Sequence, residues 1–128
     1  MERISRITFR GHTVIVADCT DCSPEELANI IDEVPQQVTK EAPGSVLLLG
    51  DFSRSVFTKD TVEHLKIAAV FDRPFVRRSA WVLTENLDKT LQEAIRRFSA
   101  RAIPAFKTRE EALEYLVTDG ANALETQR

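Results

Sequence analysis

The sequence predicts one α/β domain, built on a mixed, mostly parallel sheet of four to five strands flanked by about four helices. Three observations carry that expectation. Short strand-type runs alternate with segments of helical period; several helical segments open on an N-capping signature; and the first two strand runs flank a glycine-bearing turn of the hairpin kind.

Ile4 to Phe9 alternates Ile4, Arg6 and Thr8 against Ser5, Ile7 and Phe9, and Thr13 to Asp18 is rich in β-branched residues. Arg10-Gly11-His12 lies between them. Glycine supplies the positive φ of a tight turn, so the two runs are expected to be antiparallel neighbours. Ser23-Pro24-Glu25-Glu26 is a helix start. The Ser23 hydroxyl accepts from a free backbone N–H, Pro24 suits the first helical position and Glu26 completes a capping box. The helix that follows places Leu27, Ile30, Ile31, Val34 and Val38 on one face, with Pro35 expected to kink it or end its regular part. After Ala42-Pro43-Gly44, the continuous apolar run Ser45 to Leu49 reads as a buried strand.

Gly50 to Phe57 reads as a polar loop and Thr58 as the N-cap of a second helix, with Val62, Leu65, Ala69 and Val70 inward and Pro74 stopping it. Ala80 to Leu83 is expected to be another buried strand. A helix with the stripe Leu87, Leu91, Ala94, Ile95 and Phe98 follows it. Ile103 to Phe106, broken by Pro104, fits an edge or a strand start. Thr108-Arg109-Glu110-Glu111 signals a capping box for a last helix that buries Ala112, Leu113, Leu116 and Val117. The order is thus ββαβαβαβα, with right-handed crossovers. The domain spans 1–118, and the small, polar stretch 119–128 is expected to be a flexible tail.

With 43% hydrophobic and 29% charged residues, the composition is that of a globular chain. A net charge of -3 argues against nucleic acid as a partner, because neutralising phosphates needs a concentrated basic surface. The charge is uneven: 1–64 holds six Lys or Arg against eleven Asp or Glu, whereas 65–128 holds eleven against nine. The longest apolar stretch, Val46 to Leu49, is far shorter than the roughly 20 residues of a membrane span, and Met1-Glu2-Arg3 leads into no signal-peptide core. Two cysteines are too few for a secreted disulfide framework, so a cytoplasmic protein is expected.

Three stretches in register with these elements carry a resemblance: Ser45 to Ala69, "SVLLLGDFSRSVFTKDTVEHLKIAA"; Arg77 to Leu83, "RRSAWVL"; and Ala94 to Leu116, "AIRRFSARAIPAFKTREEALEYL". Together, over a little under half of the chain, they resemble the STAS superfamily, specifically bacterial proteins similar to the sporulation anti-anti-sigma factor (SpoIIAA-like). The resemblance implies a four- or five-stranded sheet flanked by helices, acting through protein contacts or nucleotide and small-ligand binding. This branch is also similar to CRAL-TRIO lipid carriers, which implies an apolar pocket. In the sporulation regulators a phosphorylated Ser sits in an Asp-Ser-Ser-Gly run at the start of the second helix. Here that place reads Thr58-Lys59-Asp60-Thr61, so no acceptor is carried over.

Candidate sites come next. Asp51, Ser53, Ser55 and Thr58 lie between a buried strand and a helix N-terminus, where free N–H groups and the macrodipole favour an anion or a modified hydroxyl. The same residue types also serve as an ordinary turn and cap. Phe52, Phe57, Val62, Phe71 and Phe75 form a candidate apolar ligand site or interface. Val56 and Trp81 add apolar weight near element boundaries, and core packing is the alternative for the whole set. Cys19-Thr20-Asp21-Cys22 is a C-x-x-C, but Asp18 and Asp21 oppose thiolate formation and the cap falls at Ser23, outside Cys19. No metal site is expected, since His12 and Cys19 bracket one strand some 20 Å apart at about 3.3 Å per residue. His64 reads as a structural histidine of the second helix. Arg73, Arg77, Arg78, Arg96, Arg97 and Arg101 make a basic patch only if the ends of the second and third helices meet; otherwise they are solvated helix ends.

No nucleophile elbow, phosphate loop or dinucleotide fingerprint is present, and no cofactor is implied. The expectation is therefore a non-catalytic regulatory module that binds another protein, as a homo-oligomer and most simply a dimer. The alternative is a carrier or sensor of a small lipophilic ligand held in an apolar pocket between helices and sheet.

Overall fold

The structure is a computed structural model that describes residues 2–83 and 103–118. β1 (Ile4–Phe9) and β2 (His12–Asp18) pair antiparallel with Phe9 opposite His12, so the loop between them is Arg10-Gly11 alone. Both loop residues have positive φ, 50° and 81°, as a two-residue hairpin turn matched to the strand twist demands. The chain then alternates through α1 (Pro24–Val38), β3 (Val46–Asp51), α2 (Lys59–Asp72) and β4 (Val76–Val82). Beyond residues outside the described set come β5 (Ala105–Phe106) and α3 (Arg109–Val117).

The five strands run in the order β1-β2-β3-β4-β5, and every pairing after the first is parallel. The fold is therefore α/β with a five-stranded mixed sheet and, among the described residues, three helices. The crossovers β2-α1-β3 and β3-α2-β4 advance the same way along the sheet, so a common hand puts both helices on one face. Ile15 and Ala17 of β2 accordingly pack with Leu27, Ile31 and Leu65. The alternate residues Val14 and Val16 point to the other face, where Leu47, Leu49 and Ala80 meet Ala112, Leu113 and Leu116 of α3. Burial on both faces is why β3 reads as an unbroken apolar run rather than an alternating one.

The α1 stripe is as expected: Leu27, Ile30, Ile31, Val34 and Val38 are all buried, and Ser23 with Glu26 forms the complete capping box. Pro35 does not end the helix. It sits in the last turn, with only three helical residues after it, and Val38 at the end is wholly buried. In α2 the Thr58 cap is present, closed by Thr61, but the inward set is Thr61, Leu65, Ala68, Ala69 and Asp72. Val70 points outward, at 40% exposure, contrary to its expected inward place. One residue beyond Ala69 is a rotation of roughly 100° about the helix, which carries it off the buried face.

Two strands are longer than their apolar runs. β3 continues through Gly50 and Asp51, which therefore belong to the sheet and not to the following loop. β4 begins at Val76 rather than Ala80 because Arg77 and Arg78 sit within it, the Arg78 guanidinium lying over the Tyr115 ring of α3. β5 is a two-residue edge strand directly after Pro104. At α3 the Thr108 hydroxyl accepts from the Glu111 N–H, but the Glu111 carboxylate meets the Thr108 hydroxyl rather than its backbone, so only half of the expected box forms. The expected helix stripe Leu87 to Phe98, Arg96, Arg97 and Arg101, and the tail 119–128 lie outside the described residues.

Candidate functional site

The carboxyl ends of β2 and β3 carry the same four-residue device. In Asp18-Cys19-Thr20-Asp21, Asp18 Oδ1 accepts from the Thr20 N–H (3.1 Å) and the Thr20 hydroxyl (2.7 Å). In Asp51-Phe52-Ser53-Arg54, Asp51 Oδ1 accepts from the Ser53 N–H (3.1 Å) and the Ser53 hydroxyl (2.6 Å). The fourth residue of each is left-handed: Asp21 has φ 55° and Arg54 has φ 60°. Asp18 and Asp51 are register partners, so the loops extend the sheet side by side. The Cys19 N–H donates to Asp51 O and the Asp21 N–H to Ser53 O. The Ser55 hydroxyl stitches them further, donating to Cys19 O and accepting from the Cys22 N–H.

Charge completes the rim. Arg54 grips Asp21 through two bonds of 2.8 and 2.9 Å. Arg109, the first residue of α3, reaches both strand ends, with Nε 2.6 Å from Asp51 Oδ2 and Nη2 3.3 Å from Asp18 Oδ1. Arg3 donates to the carbonyls of Asp18 and Thr20. Burial alone would raise Asp18, but its hydrogen bonds from Thr20 and the charges of Arg109 and Arg3 outweigh it and hold the carboxyl below its usual range. Asp51 is 5% exposed, so its pairing with Arg109 bridges the sheet interior and the start of α3.

The expected anion or modification loop is thus placed as follows. Asp51 and Ser53 are buried and bonded to each other, Ser55 links the twin loops, and Thr58 caps α2 by accepting from the Thr61 N–H at 3.2 Å. Sequence reasoning missed Asp18, Arg109 and Arg3. The signal available was the repeated Asp-x-Thr/Ser-x at the ends of two strands; the cation that bridges them comes from 58 residues beyond Asp51.

Cys19 and Cys22 are free thiols buried in the core. Burial pushes both up from the ordinary thiol range, and for Cys19 the neighbouring Cys22 and Asp18 push further, so neither is a ready nucleophile. His64 joins the helices: Nδ1 lies 2.7 Å from Asp32 of α1 and Nε2 3.4 Å from Asp60 one turn earlier. Those carboxylates, Asp32 first, raise its pKa. Among the described residues no three His, Cys, Asp or Glu side chains are grouped to hold a metal ion.

The apolar candidates divide. Phe52 is buried edge-on against Trp81 (centroids 5.5 Å, interplanar 83°), and the Phe57 ring centroid lies 5.3 Å from its own. Phe57, Val62 and Phe75 pack half-buried against the same core. Phe71 stands apart on the outer face of α2, 62% exposed, beside Ile67 at 54% and Val70. Between the helices and the sheet, bordered by Leu48, Phe52, Leu65, Ala68, Trp81 and Ile103, a void of about 50 Å³ remains. Comparison with protein-family models, with curated proteins and with solved structures finds no match for this chain. No helix among the described residues is long and apolar enough to cross a membrane.

Proposed function

We propose that this chain is a non-catalytic, STAS-like regulatory module of the cytoplasm that acts by binding protein, including copies of itself. The observation that carries this reading is the outer face of α2, where Ile67, Val70 and Phe71 present adjoining apolar side chains to solvent. Isolated exposed apolar residues need no explanation; three on one helical stripe are the ordinary form of a contact surface. The rim supports the same reading from the other side. Its carboxylates and hydroxyls are committed to holding two loops and α3, as a scaffold is, rather than aimed at a common reacting atom. The SpoIIAA-like part of the reading draws on the resemblance of Ser45 to Ala69, Arg77 to Leu83 and Ala94 to Leu116.

The alternative, a carrier or sensor of a small lipophilic ligand, draws on the void beside Phe52 and Trp81. At about 50 Å³ it has room for one or two waters, whereas ligand sites start near 300 Å³. Native mass spectrometry separates the two readings. A module of the proposed kind gives species of bare protein mass; co-purified lipid mass would replace this reading with the carrier.

A further inference from the structure

We propose that the free edge of β1 is a docking site for an extended segment of a partner protein, which adds to the five-stranded sheet as a further strand antiparallel to β1. This site is distinct from the α2 face and takes a different kind of partner. The phase of the hairpin decides which backbone groups are on offer. A two-residue turn makes Phe9 and His12 a pair that exchanges both hydrogen bonds, and such pairs recur at every second position, at Ile7 with Val14 and at Ser5 with Val16. The Asp18 N–H donates to Arg3 O at 2.7 Å, one step further in the same phase. Ile4, Arg6 and Thr8 therefore turn their N–H and C=O groups away from β2, to a side where no strand lies among the described residues.

The two edges of the sheet differ. β5 is blunted, being two residues long and entered from Pro104. β1 has none of the devices that keep an edge from pairing. It is six residues long, holds no proline and runs along β2 without a bulge. Its one charged residue is Arg6, whose Nη2 lies 2.7 Å from Glu41 Oε2 and 3.2 Å from Gln37 O. The guanidinium is thus tied to the end of α1 and not left free to oppose an incoming strand.

Backbone chemistry names the occupant. Donors and acceptors repeating every second residue are matched in full by another extended backbone. A helix has spent those groups on its own bonds, and a lipid lacks them. Side chains set the pattern of the segment. Ile7 and Phe9 pack half-buried on the α3 face of the sheet, beside the lane that the new strand fills. Residues of the segment that turn to that face, every second one, are therefore apolar and β-branched.

The probe is an acetylated and amidated peptide, Thr-Val-Ile-Val-Ala with a lysine at each end for solubility. Its core is the sequence of Thr13 to Ala17, which β1 already pairs with antiparallel. Titrated to about 1 mM into the whole isotope-labelled chain, it should slow amide exchange at Ile4, Arg6 and Thr8 at least about fivefold, as read by NMR. Ser5, Ile7 and Phe9, already bonded to β2, should not change. Thr8→Pro removes an outward N–H that β2 does not use, so it should abolish the effect with the far-UV spectrum unaltered. The same peptide N-methylated throughout should give no protection, a control that requires no variant to fold. No protection at about 1 mM, equal protection by the methylated peptide, or slowed exchange in folded Thr8→Pro overturns the proposal. Faster exchange at Ser5 and Ile7 also overturns it, because the peptide would then be displacing β2 instead of adding to the edge.

Discussion

Replacing Arg109 with alanine removes the cation that joins α3 to both strand ends and leaves Asp51 behind as a buried carboxylate. The side chain of Asp51 is 7% exposed, and its remaining donors are the Ser53 N–H and hydroxyl, both on Oδ1; Oδ2 loses its 2.6 Å partner. Breaking a fully buried pair by removing one member costs about 3–5 kcal/mol. Arg109 is itself 44% exposed, so water reaches part of the vacated space and the cost falls to about 2–3 kcal/mol. At 128 residues that is a drop in Tm of roughly 8 °C. Asp51→Asn in the same background removes the uncompensated charge and keeps an Oδ1 acceptor for Ser53, so Asp51→Asn/Arg109→Ala should be more stable than Arg109→Ala alone. Urea unfolding followed by the single Trp81, buried against Phe52, reads all of these. An Arg109→Ala variant within about 0.5 kcal/mol of wild type, or a double variant weaker than the single, would refute the reasoning.

Gly50→Ala should destabilise by about 1–3 kcal/mol in the same assay, because the added Cβ would lie 3.0 Å from Phe52 Cε2 and 3.4 Å from Trp81 Cδ1; full stability would mean the aromatic pair yields freely. The His64 clasp raises that residue's folded pKa, so its contribution is complete below the ordinary value near 6.5 and is lost as pH rises through the folded value. For so exposed a pair the stability gap between wild type and His64→Gln should shrink by about 0.2–1 kcal/mol from pH 5.5 to 8.5, and a gap that widens reverses the sign argued here. Cys19 and Cys22, buried and with raised pKa values, should resist a thiol-specific chromogenic reagent at pH 8 in the native protein and react fully in denaturant; rapid native labelling would contradict their placement.

Much of the architecture is legible in the sequence where a single local rule dominates. The Ser23 box, the α1 stripe and the hairpin turn each rest on contacts within a few residues; the first two stand as read, and the turn does too except that His12 belongs to β2 and the loop is Arg10-Gly11 alone. α2 is less legible because apolar residues surround it. Leu65, Ala68 and Ala69 compete with Ile67, Val70 and Phe71, and packing against α1 and the sheet, not propensity, decides which set turns inward. β4 hides its beginning behind Arg77 and Arg78, whose charges suppress the strand signal although Arg78 finds an aromatic partner across the sheet face. The candidate loop was identifiable from its position after a buried strand. Its pairing with Asp18 and Arg109 was not, since it depends on which strands become neighbours and on where α3 starts.

Amide chemical shifts followed on dilution from about 1 mM to about 10 µM test the claim that this protein works through its α2 surface. Shifts concentrated between Asp60 and Arg73, with Thr20, Ser53 and the rest of the strand-end rim unmoved, are the predicted outcome. A spectrum that stays constant on dilution, or one that moves only at the rim, would contradict it.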